Sequence, residues 1–274
     1  TSSKRKRLSK TLHSWTLMCS GRDTNVTTEF QFCVWDDLVR QHWIRSDWHA
    51  LTIGAWAYLR LVRLGAISHM LKMSRPIAFT GVVPLILIIA IVLIGSLTLL
   101  SFAAILSGWI VPGLAGVLLS ALAVFRFSKV YKALNAPWIS RINAFEVAIS
   151  DNPTLENWNN REAMARNVLS AVKDGDNHEI LIVAHSVGTQ IGLLALADAM
   201  KLDASAMAQA IKEARLCFVT LGQTIPVTSQ ISQPISRALK TVGESSVCWL
   251  DVSAPADPAC YALVDSYQDR FHGA

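Results

Sequence analysis

The sequence predicts an α/β fold with a mostly parallel sheet, interrupted by a transmembrane hairpin of two helices. Two observations predict it. Residues 77–125 form a run of 49 residues without Asp, Glu, Lys, Arg or His, bracketed by Arg75 and Arg126. Farther along the chain, short apolar segments alternate with helical patterns, which is typical of βαβ units. The 274 residues suffice for one domain of ordinary size or two small ones.

The uncharged run is too long for one membrane span and long enough for two. A spanning helix needs about 20 apolar residues, because the hydrocarbon core is about 30 Å thick and a helix rises about 1.5 Å per residue. Turn formers and a tryptophan at 107–113 predict a tight turn between helices near 80–104 and 110–126. We assign residues 77–126 to this hairpin. A buried hairpin in a large soluble core is the alternative.

Basic residues flank the hairpin on both sides, whereas its turn carries no charge. The positive-inside rule therefore predicts that both flanks, and with them both termini, lie in the cytoplasm. Within residues 50–76, we expect a basic juxtamembrane helix at 50–73, with Trp56, Tyr58 and Leu59 among Arg and Lys residues. An ordinary amphipathic helix is the alternative. The lipid bilayer is the partner that this pattern implies, and no motif supports nucleic-acid binding.

The cysteines give no sign of a metal site or a disulfide framework. They have neither CxxC nor metal-ligand spacing, and their number is odd. We therefore expect buried, reduced thiols in a cytoplasmic domain, without a metal or an organic cofactor. The five residues are Cys19, Cys33, Cys217, Cys248 and Cys260.

The two ends of the chain are predicted to form the α/β part of the protein. Residues 1–49 contain alternating apolar positions that predict a β-hairpin, with strands at 13–20 and 28–35 and turn chemistry at 21–25. Residues 127–274 form the main part. Its predicted elements are, in order, a helix at 156–173, a strand at 180–184, helices near 187–200 and 205–213, and strands at 216–221 and 247–252. The nearly continuous apolar run at 180–184 predicts a strand buried on both faces of a parallel sheet.

The most informative segment is AHSVG at 184–188, where this strand meets its helix. It matches the small-x-Ser-x-Gly pattern of a nucleophile elbow, a sharp turn that lifts the hydroxyl of Ser186 above the sheet. Ala184 and Gly188 are the small residues that the close approach of strand and helix requires. The backbone N–H of Val187 is then a candidate oxyanion donor. The alternative makes Ser186 an ordinary helix N-cap.

A serine nucleophile needs a base and an orienting carboxylate, which follow the elbow in the order acid, then histidine. Asp257 is the candidate acid, because it lies in the loop after the third apolar strand. Its alternative role is an Asp-Pro turn former. Asp251 lies inside that strand and is less able to reach. His272, which lies 15 residues after Asp257, is the candidate histidine, whereas His185 is expected to pack beside the elbow.

Three stretches together resemble an uncharacterised family of bacterial membrane-anchored α/β-hydrolase-like proteins. They are WDDLVRQHW at 35–43, VAHSVG at 183–188 and WLDVSAPAD at 249–257. The resemblance includes the hairpin between the first two stretches. It implies an α/β-hydrolase-like fold at the bacterial inner membrane, with Ser186 as nucleophile and Asp257 as a candidate acid. It also implies a further segment at each end of the chain, including an oxyanion loop and a later histidine.

The sequence therefore predicts a membrane-anchored serine hydrolase, esterase- or lipase-like, that cleaves an acyl ester or a related bond. A lipid-like acyl substrate is expected, because anchoring raises the local concentration of a membrane-borne substrate. The competing hypothesis is a non-catalytic membrane protein that uses a hydrolase-like domain for binding or scaffolding. The sequence does not indicate an oligomeric state.

Overall fold

The computed structural model describes residues 2–21, 25–150, 152–255, 257, 260–262 and 264–272. Contacts divide the chain into two compact units. Unit 1 contains Thr1–His42, Ile149–Ser253 and Asp265–Ala274, and unit 2 contains Trp43–Ala148 and Ala254–Val264. Residues 127–148, which the sequence placed in the main α/β part, thus group with the hairpin.

The elements alternate between helices and strands only in the second half of the chain. Those of the first half are β1 (Lys6–Arg7), β2 (Leu12–Ser20), β3 (Asn25–Cys33), α1 (Asp36–His42), α2 (Asp47–Arg63), α3 (Ala66–Met73), α4 (Arg75–Leu106), α5 (Ile110–Ala133) and α6 (Ala136–Ile149). Those of the second half are α7 (Asn152–Glu156), α8 (Arg161–Lys173), β4 (Ile180–His185), α9 (Gly188–Leu202), α10 (Ala204–Lys212), β5 (Leu216–Leu221), α11 (Ile225–Ile231), α12 (Gln233–Gly243), β6 (Cys248–Val252) and α13 (Ser266–Phe271).

Unit 2 is built around the predicted hairpin. Among the described residues, two single helices are long and apolar enough to cross a membrane, over Ala78–Leu106 and Ile110–Ala133. The prediction of two membrane-length helices is therefore confirmed. The turn between them is shorter than the predicted 107–113, because Pro112 and Gly113 already belong to α5. Gly108 provides the left-handed backbone that this tight turn needs, at φ +84°.

The two long helices pack closely through small residues and are apolar on their outer surfaces. An added Cβ on Gly116 would lie 2.1 Å from Ser101 Oγ, so glycine at this position favours the close approach of α5 to α4. On the outside, Leu93, Leu99 and Leu106 are 63%, 72% and 88% exposed. Side chains of this kind in such number favour a hydrocarbon solvent.

The predicted single basic helix at 50–73 is wrong. The segment forms α2 and α3, which are bent by 90° at their junction. Only together do these two helices have the length and apolar composition of a membrane span. The break is at Gly65, whose φ of +72° ends the helical path. Trp56 is exposed and lies under the guanidinium of Arg63, whereas Tyr58 is buried.

Unit 1 contains a small antiparallel sheet in the order β1-β2-β3. The predicted hairpin is present, and Trp15 pairs with Phe30 across it with stacked rings 5.4 Å apart. The predicted turn at 21–25 includes residues 22–24, which lie outside the described residues.

Unit 1 also contains a parallel sheet in the order β4-β5-β6. The three strands and the helices α9 and α10 lie within two residues of the ranges that the sequence predicts, so the alternation of strands and helices is confirmed. Helices α11 and α12, between β5 and β6, were not predicted. Helices cover one face of this sheet. Leu216, Phe218 and Thr220 point to that face and are almost completely buried.

The opposite face of the parallel sheet is open, which corrects the prediction of a strand buried on both faces. In β4, Leu181 and Val183 are 52% and 58% exposed. The register continues this face from Val183 through Val219 of β5 to Leu250 of β6, and Val252 of β6 follows on the same face; Leu250 and Val252 are also exposed. The strands of this sheet are adjacent in the order in which they occur along the chain. When such strands are connected by crossovers of the same hand, the connecting helices all lie on the same face of the sheet.

Candidate active site

Ser186 lies in the turn between the carboxyl end of β4 and the first residue of α9. Its φ is +52°, in the left-handed region that a residue with a Cβ rarely adopts. The turn is held by two bonds, since Ser186 N–H donates to the Leu221 carbonyl at 2.9 Å and Thr189 N–H donates to the Ser186 carbonyl at 2.9 Å. A serine with a left-handed backbone between the end of a strand and the start of a helix is the arrangement expected of a nucleophile elbow.

The alternative role of Ser186, as the N-cap of α9, does not match the structure. The N-cap is Val187, and α9 has no capping bond from a side chain. The Ser186 side chain is half-buried, and no described residue makes a hydrogen bond to its hydroxyl. The hydroxyl is therefore not used to stabilise the helix.

Small residues allow α9 to pack tightly on the sheet, and one of them, Gly192, lies outside the elbow motif at 184–188. An added Cβ on Gly192 would lie 2.9 Å from the Ala184 Cβ and 3.2 Å from the Phe218 ring. An added Cβ on Gly188 would lie 3.8 Å from the Trp35 ring, which is ordinary contact. The tight contact between α9 and β4 is thus at Gly192 and Ala184, whereas Gly188 lies beside the ring of Trp35.

The start of α9 offers N–H groups without acceptors. In the described part of the chain, the N–H groups of Val187 and Gly188 donate to no backbone or side-chain oxygen. Free N–H groups at a helix start favour negative charge, as a developing oxyanion requires. The Val187 N–H directly follows the strained serine, which is the position that an elbow uses for oxyanion stabilisation.

A buried polar network lies behind the serine turn. Thr189 Oγ1 donates to the Ser186 carbonyl at 2.7 Å, and Gln190 Nε2 donates to Thr224 Oγ1 at 2.9 Å. Thr189 and Gln190 have no exposed surface. The network links α9 to the loop after β5 and holds the serine turn in its strained conformation. Gln190 Oε1 is buried without a partner among the described residues.

The stretch at 35–43 contributes to the same region of unit 1. Trp35 contacts the position of Gly188, and the Asp37 carboxylate accepts hydrogen bonds from Trp158 Nε1 at 2.9 Å and Asn160 Nδ2 at 2.7 Å. These bonds tie the start of α1 to the segment before α8. Burial lowers the pKa of His42 at the end of α1, which favours its neutral form.

The remaining predicted site residues are described by their own local contacts. His272 ends α13, and its exposed ring packs edge-on against Tyr267 at 5.5 Å. Asp257 belongs to unit 2, where its side chain is exposed and its N–H closes a turn to the Ala254 carbonyl. Asp251 lies within β6 and accepts a bond from Thr220 Oγ1 at 2.6 Å. The roles of His272 and Asp257 remain predictions.

Sequence reasoning missed Gly192, Thr189, Gln190 and Trp35 as parts of this site. A signal existed for two of them, since Thr189 and Gln190 are polar residues directly after the elbow at the start of an otherwise apolar helix. Gly192 lies one helical turn after Gly188, which places both on one side of α9. Trp35 could not be found in this way, because about 150 residues separate it from Ser186.

Comparisons of the chain with protein-family models, with curated proteins and with solved structures found no match. The resemblance to membrane-anchored hydrolase-like proteins therefore stays a hypothesis.

Proposed function

We propose that this protein is a membrane-anchored serine hydrolase that cleaves an acyl ester or a related bond. The observation that carries the proposal is Ser186, a non-glycine residue with φ +52° between β4 and α9, whose hydroxyl is not used by any described residue. Strain of this kind costs on the order of 1–3 kcal/mol and is retained where a function requires it. The parallel order β4-β5-β6 supports an α/β-hydrolase-like arrangement.

In the proposed reaction, Ser186 Oγ attacks the substrate carbonyl and gives its proton to a histidine. The Val187 N–H stabilises the oxyanion, and the protonated histidine then donates to the leaving alcohol. Water releases the acyl group by the reverse sequence. We assign the histidine and its orienting acid to His272 and Asp257, because the order Ser, Asp, His matches that of hydrolases with an elbow.

We propose further that the substrate is lipid-like and that the protein lies in the bacterial inner membrane with both flanks of the hairpin cytoplasmic. The hairpin keeps unit 1 at the bilayer, which raises the local concentration of a membrane-borne ester. Cysteines introduced at Arg60 and Trp109 test the orientation. A membrane-impermeant thiol reagent should label position 109 from outside and leave position 60 unlabelled; labelling of both from one side would reject it.

A fluorophosphonate probe tests the hydrolase proposal, because it reacts only with an activated serine. The full chain in detergent micelles should be labelled at Ser186, and Ser186→Ala should abolish the labelling. Ser205→Ala is the matched control, since Ser205 is an exposed serine on α10, and it should label like wild type. His272→Asn and Asp257→Asn should each reduce labelling by at least about tenfold.

The competing proposal is a membrane protein that uses unit 1 for binding. It is favoured by the absence, among the described residues, of a base bonded to Ser186, and by the open apolar face of the sheet. The two proposals differ in the same experiment. A well-folded chain that the probe does not label, and that turns over neither vesicle-borne nor soluble esters, would support binding and reject catalysis.

A further inference from the structure

Two cysteines lie side by side on the open face of the parallel sheet. Cys217 of β5 and Cys248 of β6 are direct register partners, and their Sγ atoms are 2.9 Å apart. Cys248 is exposed, and Cys217 is half-buried. The prediction of buried thiols is therefore wrong for this pair, and among the five cysteines only Cys260 is buried.

The geometry of the pair is close to that of a disulfide. A disulfide needs Cα atoms about 4.4–6.8 Å apart, and neighbouring strands are about 4.7–4.9 Å apart. The S–S bond is about 2.05 Å long, so the two sulfurs must approach each other by less than about 1 Å. Small rotations of the two side chains suffice, because Cys248 is exposed and Cys217 is only partly buried.

The two thiols differ in reactivity. The pKa of Cys217 is raised to about 11, first by burial and then by its hydrogen bond to Cys248 and the charge that Cys248 acquires. The S–H of Cys217 donates to the Cys248 sulfur, and Cys248 is the more exposed of the two. The exposed thiol is the one that an oxidant reaches, and its neighbour is the second to react.

We propose that Cys217 and Cys248 form a reversible intrachain disulfide by exchange with a low-molecular-weight disulfide such as oxidised glutathione. The Cys248 thiolate attacks one glutathione sulfur, which breaks the glutathione S–S bond and releases a glutathione thiolate. The Cys217 sulfur then loses its proton and attacks the Cys248 sulfur, which expels the second glutathione thiolate. Two protein thiols are oxidised, one glutathione disulfide is reduced to two thiols, and both protons pass to the released glutathione.

The disulfide would fasten an edge strand. β6 lies at the edge of the described sheet and pairs with β5 as its one neighbouring strand there. A bond between its first residue and the second residue of β5 closes a loop that contains α11 and α12. Both thiols lie at the amino ends of their strands, whereas Ser186 follows the carboxyl end of β4. Disulfide formation by this pair therefore does not depend on the proposed hydrolase activity of Ser186.

Peptide mapping of the full chain in detergent tests the proposal. The chain is incubated with oxidised glutathione, free thiols are blocked with N-ethylmaleimide, and the digest is analysed without reductant. The peptide linked through Cys217 and Cys248 should exceed the glutathione adduct at Cys248 by more than about tenfold, because the second attack is intramolecular. Reductant should restore both thiols.

Matched variants make the result specific. In Cys217→Ser, the adduct at Cys248 should accumulate without a linked peptide, and Cys19→Ser should behave like wild type, since Cys19 lies in β2. A stable glutathione adduct in the wild-type chain, or a linked peptide that uses another cysteine, would overturn the proposal. A trivalent arsenical, which needs two adjacent thiols, should bind the unaltered reduced chain and lose affinity after oxidation; failure to bind would count equally against it.

Discussion

The hairpin α4–α5 and the parallel sheet β4-β5-β6 both present large apolar side chains on their surfaces, but the sequence accounts for only one of them. The hairpin is uncharged over 49 residues, and its two helices are long and apolar enough to cross a membrane. The sheet is apolar on both faces, and helices cover only one. The length and composition of an apolar helix can thus indicate a membrane span. The composition of an apolar strand does not indicate which element, if any, packs on each face of its sheet.

A lysine placed at an exposed position of each surface should give the largest difference between the two regions. Leu93 in α4 is 63% exposed and Leu181 in β4 is 52% exposed. Leu93→Lys should weaken membrane insertion by about 2.5–3.5 kcal/mol, because it puts a charge near the middle of a span. Leu181→Lys should change the stability of unit 1 by less than about 1 kcal/mol, because water can solvate the ammonium there.

Carbonate extraction of membranes measures the first effect, and thermal unfolding in detergent followed by tryptophan fluorescence measures the second. Leu93→Met and Leu181→Met are the controls, since they keep both surfaces apolar. A Leu181→Lys variant that is as damaged as Leu93→Lys would mean that the sheet face is covered in the working protein. In that case the comparison between a lipid-facing and a water-facing surface fails.

Local sequence patterns predicted the strands of the parallel sheet and the two long helices well, but they missed the short helices α11–α13 and did not predict which faces are covered. The strands at 180–184 and 216–221 follow from short apolar runs between turn signals, and Ser186 follows from the small residues around it. The bend at Gly65 was missed, because a glycine inside a helical pattern does not distinguish a kink from an interruption. The open sheet face and the contact of Trp35 with Gly188 depend on tertiary packing, which residue spacing does not encode.

Replacing a closely packed glycine by alanine should cost more stability in unit 1 than in the hairpin. Gly192→Ala should destabilise unit 1 by about 1–3 kcal/mol, because its Cβ would lie 2.9 Å from the Ala184 Cβ and neither backbone can move away. Gly116→Ala should cost less, since its nearest neighbour is Ser101 Oγ, the end of a side chain that can rotate. That rotation would break the 2.6 Å hydrogen bond from Ser101 Oγ to the Leu97 carbonyl, so the cost is not zero.

Each glycine has a control in its own region, because an added Cβ on Gly175 or on Gly95 meets no atom within 4 Å. Gly175→Ala and Gly95→Ala should therefore leave the thermal unfolding midpoint in detergent close to that of wild type. Ala184→Gly combined with Gly192→Ala should recover part of the loss, since it removes the opposing Cβ. A greater loss for Gly116→Ala than for Gly192→Ala would show that the hairpin is packed more rigidly than the helix on its sheet.

The smallest expected difference between the two regions is their response to acid. Residues 77–125 contain no ionisable side chain, so the contact between α4 and α5 should not depend on pH. In unit 1, the pKa of Asp203 is lowered, first by the hydrogen bond from the Ala206 N–H and then by Lys173. The pKa of Glu213 is lowered by hydrogen bonds from Arg215 and Gln209.

A carboxylate whose pKa is lower in the folded state stabilises that state fully above its unfolded pKa, and the effect is lost as the pH falls through the folded pKa. Acidification from pH 6 to pH 3 should therefore raise hydrogen exchange around α10, after correction for the intrinsic rate, and leave residues 84–122 unchanged. Asp203→Asn should remove part of this pH dependence, because it abolishes the titration and keeps an N-cap acceptor. Equal increases in both regions would show that acid acts through the whole fold and not through the caps of α10.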